Sequence, residues 1–257
     1  MRKIFLPLLL IIFLLTGCGT EQDSEKNKIV IGLDDEFAPF GFRDDKGELV
    51  GLDIDLAKEA AERMGVEVEF KPIDWNKKEG ELNSGNIDII WNGLDMTPER
   101  EKIFLYSKPY MDSRQILLVK IDSDLEFHSE QDLAGKIVGT QIGSSAGNYI
   151  ESNSKLRDSF ADLKTYNTFK QAFEDLMSEK IDALIVDELV GRYEMSKVPE
   201  KFKAIEVTVG HVAKVGIGFR KNDKELRDRV QKVFNEMVRD GTTKKISEKW
   251  FGADLIK

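Results

Sequence analysis

The residues best suited to chemistry cluster where short apolar runs end. Asp34 and Phe37 follow Lys28–Leu33, Trp75 follows Val66–Lys71, and Asn92-Gly93-Leu94-Asp95 with Arg100 follows Ile87–Trp91. Gln141 and Gly143-Ser144-Ser145 follow Lys136–Thr140, and Asp187 follows Ile181–Val186. In open α/β sheets, ligands bind beyond the carboxyl ends of the strands. No hydroxyl or thiol in these loops has an obvious base beside it, and His128 and His211 lie away from them. Acids, aromatics, one arginine and a Gly/Ser helix opening suit holding a small zwitterion better than changing one.

The elements that must position these residues alternate along the chain. The seven strands expected are Lys28–Leu33, Val66–Lys71, Ile87–Trp91, Arg114–Lys120, Lys136–Thr140, Ile181–Val186 and Lys214–Arg220. Helices are expected at Asp53–Met64, Thr168–Glu179, Lys224–Arg239 and Thr243–Trp250. The first helix carries Ile54, Leu56, Ala57, Ala60, Ala61 and Met64 on one side and stops at Gly65. Thr168 with Gln171 makes a capping box for the second. Such alternation predicts α/β architecture with mostly parallel sheets. Glu81–Ile90 also aligns without gaps against Asp175–Leu184, and Lys28-Ile29-Val30 echoes Lys136-Ile137-Val138. Two related lobes fit this faint repeat better than one extended sheet.

Composition narrows the function classes. The 257 residues are 41% apolar and 33% charged, with a formal net charge of −9. That balance argues against binding a phosphate backbone, so no nucleic-acid partner is expected. One cysteine and two histidines make neither an intrachain disulfide nor a Cys/His zinc cage, and no metal or cofactor is expected. Met1-Arg2-Lys3 precedes an apolar run from Ile4 to Leu15, broken only by Pro7, and the run ends in Leu15-Thr16-Gly17-Cys18. Two cations before about a dozen apolar residues is the layout of a secretory signal, too short for a stable spanning helix. The ending resembles a bacterial lipobox. It implies a signal peptide at 1–17, lipidation of Cys18, and a polar tether over 18–27 that holds the protein on the outer side of a membrane. The other reading is an uncleaved signal anchor.

A family resemblance rests on motifs in order over nearly the whole remaining chain. They are Asp34-x-x-Phe37-x-Pro39-Phe40, Gly51-Leu52-Asp53-Ile54-Asp55-Leu56, Thr97-Pro98-Glu99-Arg100, Ser107-Lys108-Pro109-Tyr110, Asp132-Leu133-Ala134-Gly135-Lys136 and Lys249-Trp250-Phe251-Gly252. From about Lys28 to Gly252 the chain resembles the polar amino acid-binding proteins of bacterial ABC importers, the type II periplasmic-binding-protein fold. The resemblance implies two α/β lobes joined by two crossover hinge segments, with the ligand clamped between them. Lobe 1 is then 28–112 with 213–257, and lobe 2 is 113–212. It also implies a non-enzymatic, monomeric protein whose partners are a free amino acid and the transmembrane subunits of an ABC permease.

By the same resemblance, Arg100 grips the ligand α-carboxylate, Ser144 and Ser145 offer a second anion anchor, and Asp187 pairs with the α-ammonium. A surface salt bridge for Arg100, a plain N-cap for the serines and a structural cap for Asp187 are the competing readings. Phe37 and Trp75 would wall the ligand side chain, or else belong to the core. Asp34 and Gln141 would read its distal end, and the Gly93 carbonyl, next to Asn92, would meet the ammonium. One departure stands out: Asp95 replaces the family's frequent Thr or Ser. With Asp34, Asp95 and Asp187 around one cleft, a basic amino acid is favoured over glutamine, histidine or cystine, and acidic ligands are disfavoured. A same-fold enzyme of the cyclohexadienyl dehydratase type would need a proton-transfer group in the cleft, and an amino acid-sensing module is the other alternative.

Overall fold

The computed structural model describes residues 28–257. The expected signal peptide, the lipidated Cys18 and the tether lie outside the described residues. Two five-stranded sheets dominate the fold. One is ordered Glu67–Pro72, Lys28–Leu33, Ile89–Ile90, Gly218–Arg220, Phe104–Tyr106; the other runs Asp162–Tyr166, Ile137–Gln141, Ala183–Asp187, Met111–Lys120, Phe202–Val215. In each, four strands share a direction and the fourth in order opposes both its neighbours. The two lobes therefore repeat one plan, each sheet covered on both faces by helices. Among the described residues no helix is long and apolar enough to cross a membrane.

The sequence repeat has a physical basis. Asp88 exchanges two bonds with Val30, its N–H donating to the Val30 carbonyl at 2.7 Å and its Oδ2 accepting from the Val30 N–H at 3.1 Å. Asp182 does the same with Ile137, at 2.8 and 2.7 Å. Above each latch an isoleucine, Ile87 or Ile181, packs so close that a Cβ on Gly32 or on Gly139 would lie 2.4 Å from its Cδ1. The Ile-Asp part of the repeat is thus in structural register. The Lys-Ile-Val echo is out by one residue, because Val30 corresponds to Ile137 rather than Val138.

Several elements differ from expectation. The strand expected at Lys214–Arg220 is interrupted at Gly216 and Ile217, where the chain leaves one sheet for the other. Thr168 is the N-cap residue of the helix Phe169–Met177, but its side chain makes no cap bond, so the capping box does not form. The 14-residue strand Phe202–Val215 was not anticipated. It pairs antiparallel with Met111–Lys120 from Phe202↔Lys120 to Val215↔Met111, with two register shifts. The two segments that cross between the sheets are therefore neighbouring strands of one ladder.

Candidate functional site

In the first lobe the site loops are fixed from behind. Gly51, at φ 144°, opens the helix Leu52–Met64, and a Cβ there would sit 2.2 Å from the Phe40 carbonyl oxygen. That close approach lets Leu52 and Asp53 donate their N–H groups to the Pro39 and Phe40 carbonyls at 2.8 and 2.9 Å. The fully buried Asp53 carboxylate accepts from the Gly93 N–H at 2.6 Å and from the Tyr110 hydroxyl at 2.8 Å. One buried acid thus sets the Gly93 turn against the Phe37–Phe40 loop, which explains the Gly51-Leu52-Asp53 motif. Asn92 Oδ1 accepts from the Asp34 N–H at 3.0 Å. Arg100 projects from the helix Pro98–Ile103, whose N-cap is Thr97.

In the second lobe, Ser144 caps the helix Ser145–Ser152 by accepting from the Gly147 N–H at 3.0 Å. Asp187 caps Glu188–Lys197 through Oδ1, which accepts from Leu189 and Val190 at 2.9 and 3.3 Å. Its Oδ2 accepts from Ser113 at 2.8 Å. The structural-cap readings of Ser144 and Asp187 are therefore realised, and both residues still reach the wall of the cleft.

The lobes meet directly. Arg100 is 3% exposed; its Nη2 donates to the Gly143 carbonyl at 2.8 Å, and its Nη1 donates to Ser145 Oγ and the Asp95 carbonyl, both at 3.2 Å. Ser145 Oγ donates to Asp95 Oδ2. At the other end Gln141 Nε2 donates to Asp34 Oδ2 at 2.6 Å. Phe37 stacks on Phe40 at 5.4 Å and faces Phe169 across the cleft at 6.0 Å. Between these contacts lies a cavity of about 20 Å³, room for roughly one water. Arg100 Nε and Asp95 Oδ1 are buried and have no hydrogen-bond partner. A guanidinium buried among carbonyls and hydroxyls, with a donor to spare, has the geometry and charge that suit a carboxylate.

Burial also governs the acids. It pushes the Asp34 carboxyl up to about 6. It pushes Asp187 to about 7, with the neighbouring Asp95 charge adding to the rise. Asp95 is raised by burial too, against the pull of Arg100. In each case burial outweighs the groups that favour the charged form, and a cation entering the cleft would favour the ionised carboxylate.

Of the expected residues, Phe37, Trp75, Gly93, Asp95 and Arg100 line this cavity from one lobe, and Gln141, Ser144, Ser145 and Asp187 from the other. Asp34 closes its distal end through Gln141. Asn92 is the exception: fully buried, it braces Asp34 from behind rather than facing the cleft. Two lining residues were missed, Gln115 and Phe169. Gln115 lies two residues after Ser113 in the crossing strand Met111–Lys120, so both share one face. That pair of polar side chains ahead of the apolar Ile116–Val119 was its only sequence signal.

The profile of the bacterial extracellular solute-binding proteins, family 3, matches residues 29–253. The chain belongs to this family. Among family members, the L-cystine-binding protein TcyJ of Escherichia coli strain K12 is 31% identical over 233 residues, covering 91% of this chain and 86% of its own. The arginine-binding extracellular protein ArtP of Bacillus subtilis strain 168 is 32% identical, covering 94% of each chain. A solved structure of an ABC uptake transporter substrate-binding protein from Streptococcus pneumoniae with bound histidine superposes with a TM-score of 0.85 at 34% identity, over 90% of this chain and 95% of that one. The protein is an amino acid-binding component of an ABC transporter and not an enzyme, and its two lobes are those of the type II periplasmic binding proteins.

Proposed function

We propose that this family member captures a basic L-amino acid between lobe 1, residues 28–112 with 213–257, and lobe 2, residues 113–212, and delivers it to a membrane permease. In this reading Arg100 takes the α-carboxylate, with the Ser144-Ser145 turn closing over it. Asp187 and Asp95 take the α-ammonium, and Phe37, Trp75 and Phe169 pack the side chain. Asp34 with Gln141 reads its far end. Cys18 carries the lipid that keeps the protein, as a monomer, on the extracytoplasmic side of the cell membrane. The observation that carries the proposal is the buried Arg100, bonded to the Asp95 carbonyl of its own lobe and, across the cleft, to the Gly143 carbonyl and the Ser145 hydroxyl.

Charge favours a cationic ligand. Asp34, Asp95 and Asp187 face two buried cations in the same region, Arg100 and Lys78. A zwitterion leaves that imbalance unchanged, whereas arginine, lysine or ornithine offsets it. Cystine and histidine, the ligands of relatives, are the competing candidates. A thermal-shift screen of the twenty amino acids plus ornithine and cystine tests the reading, because a ligand raises stability by RT ln(1 + [L]/Kd). The basic amino acids should give the largest shifts. A melt moved by cystine or glutamine alone would overturn the basic preference, and no shift from any would overturn the capture itself.

A further inference from the structure

Lys78 is the buried cation that the site as described leaves without a task. It starts the helix Lys78–Asn83 and is 2% exposed, although its neighbour Lys77 has a side chain 71% exposed. Its Nζ donates to the Trp75 carbonyl at 3.0 Å and, across the cleft, to the Gly143 carbonyl at 3.0 Å, while lying 5.1 Å over the Trp75 ring. A carbonyl oxygen has two lone pairs. At Gly143 one meets Lys78 and the other Arg100 Nη2, so two cations of one lobe hold a single acceptor of the other. Gly143 is left-handed at φ 70°, and a Cβ there would press on Asn76 at 3.0 Å, so the turn fits closely against the 75–78 segment. Burial pushes the Lys78 ammonium down to about 7, and the repulsion of Arg100 works in the same direction. A lysine buried without a carboxylate in contact costs stability.

We propose that Lys78 is a positioning residue of the ligand site: by gripping the Gly143 carbonyl beside Arg100, it latches the two lobes and aims the Ser144-Ser145 turn at the ligand carboxylate. This extends the capture function proposed above and rests on it. It acts through Gly143 and touches no ligand atom. Its bond to Gly143 forms only when the lobes meet, so its contribution belongs to the closed form and appears in affinity rather than in folding.

The test compares Lys78→Met, similar in length and apolar, with Lys78→Arg, which keeps a cationic donor. Calorimetric titration with L-arginine, L-histidine and L-cystine should show Lys78→Met weakening the binding of whichever is taken up by about tenfold. Its melting temperature should be unchanged or higher, and Lys78→Arg should recover part of the affinity. Small-angle X-ray scattering without added amino acid should give Lys78→Met a larger radius of gyration than the wild type. Wild-type affinity and radius in Lys78→Met would overturn the latch, and so would affinity and melting temperature falling together. If the wild type took up none of these three amino acids, the scattering comparison would still decide the latch, and the capture proposal would stand or fall on the full thermal-shift screen.

Discussion

The two lobes share a frame and differ at its tips. Beneath each, a glycine, an isoleucine and an aspartate lock two neighbouring parallel strands, with Gly32, Ile87 and Asp88 joining Lys28–Leu33 to Ile89–Ile90 and Gly139, Ile181 and Asp182 joining Ile137–Gln141 to Ala183–Asp187. Above, the loop after Lys28–Leu33 carries Asp34 and aromatic rings, whereas the strand Ile137–Gln141 ends in Gln141 and leads to a serine-capped helix. Even the frame is not quite symmetrical. Asp88 is buried and also accepts from Arg220 at 3.1 Å, while Asp182 is half-buried and bonds to the Ile137 backbone. Packing needs are thus common to both lobes, and the ligand chemistry is divided between them.

That division can be broken at the tips first. Arg100→Ala should weaken amino acid binding by at least about a hundredfold, because it strips the cleft of its buried guanidinium while leaving both sheets intact. Ser145→Ala, at the facing tip, should cost only about fivefold to tenfold. Equal losses by calorimetry would mean that the two lobes grip the carboxylate alike. The frame comes next. Asp88→Ala should cost about 3 kcal/mol in urea unfolding, since it also leaves the Arg220 charge short of a partner. Asp182→Ala should cost about 1 kcal/mol. Matching costs would make Arg220 irrelevant to the asymmetry.

The smallest expected effect is in pH. Asp34 and Asp187 titrate near 6 and 7 in the closed cleft, above the ordinary carboxylate value of 3.8. A cationic ligand binds their ionised forms, so it must displace protons below those values and none above them. Affinity for L-arginine should therefore rise from about pH 5 to about pH 8, with protons released on binding near neutrality. Asp34→Asn should remove the portion centred near 6. An affinity flat over that range would remove Asp34 and Asp187 from contact with the cation.

Much of this arrangement was legible because motif residues carry specific structural jobs. Gly51 and Asp53 lie two residues apart in one motif, Gly51 allowing the close approach to Phe40 and Asp53 holding Gly93 and Tyr110. Lys78 was illegible for the opposite reason. It sits in Asn76-Lys77-Lys78-Glu79, which reads as a solvated charged run, and only the approach of Gly143 from the second lobe buries it. Phe202–Val215 escaped because its register shifts between Ile205 and Val209, and again between Val209 and Ala213, break the alternation by which strands are recognised. Phe169 likewise looks like an ordinary helix-core residue until Phe37 meets it.

The paired crossing strands have a mechanical consequence. Two separate tethers would let one half of the molecule slide, roll and swing against the other. Here the tethers are bonded edge to edge, Ala213 to Ser113 and Val215 to Met111, and Asp95 adds a bridge to Val215. Such a ribbon resists shear, because sliding would break its rungs, but it twists readily. On the capture proposed above, lobes joined by such a ribbon would swing about one preferred axis. Each closure would then bring Gly143 back to Lys78 and Arg100 without a search.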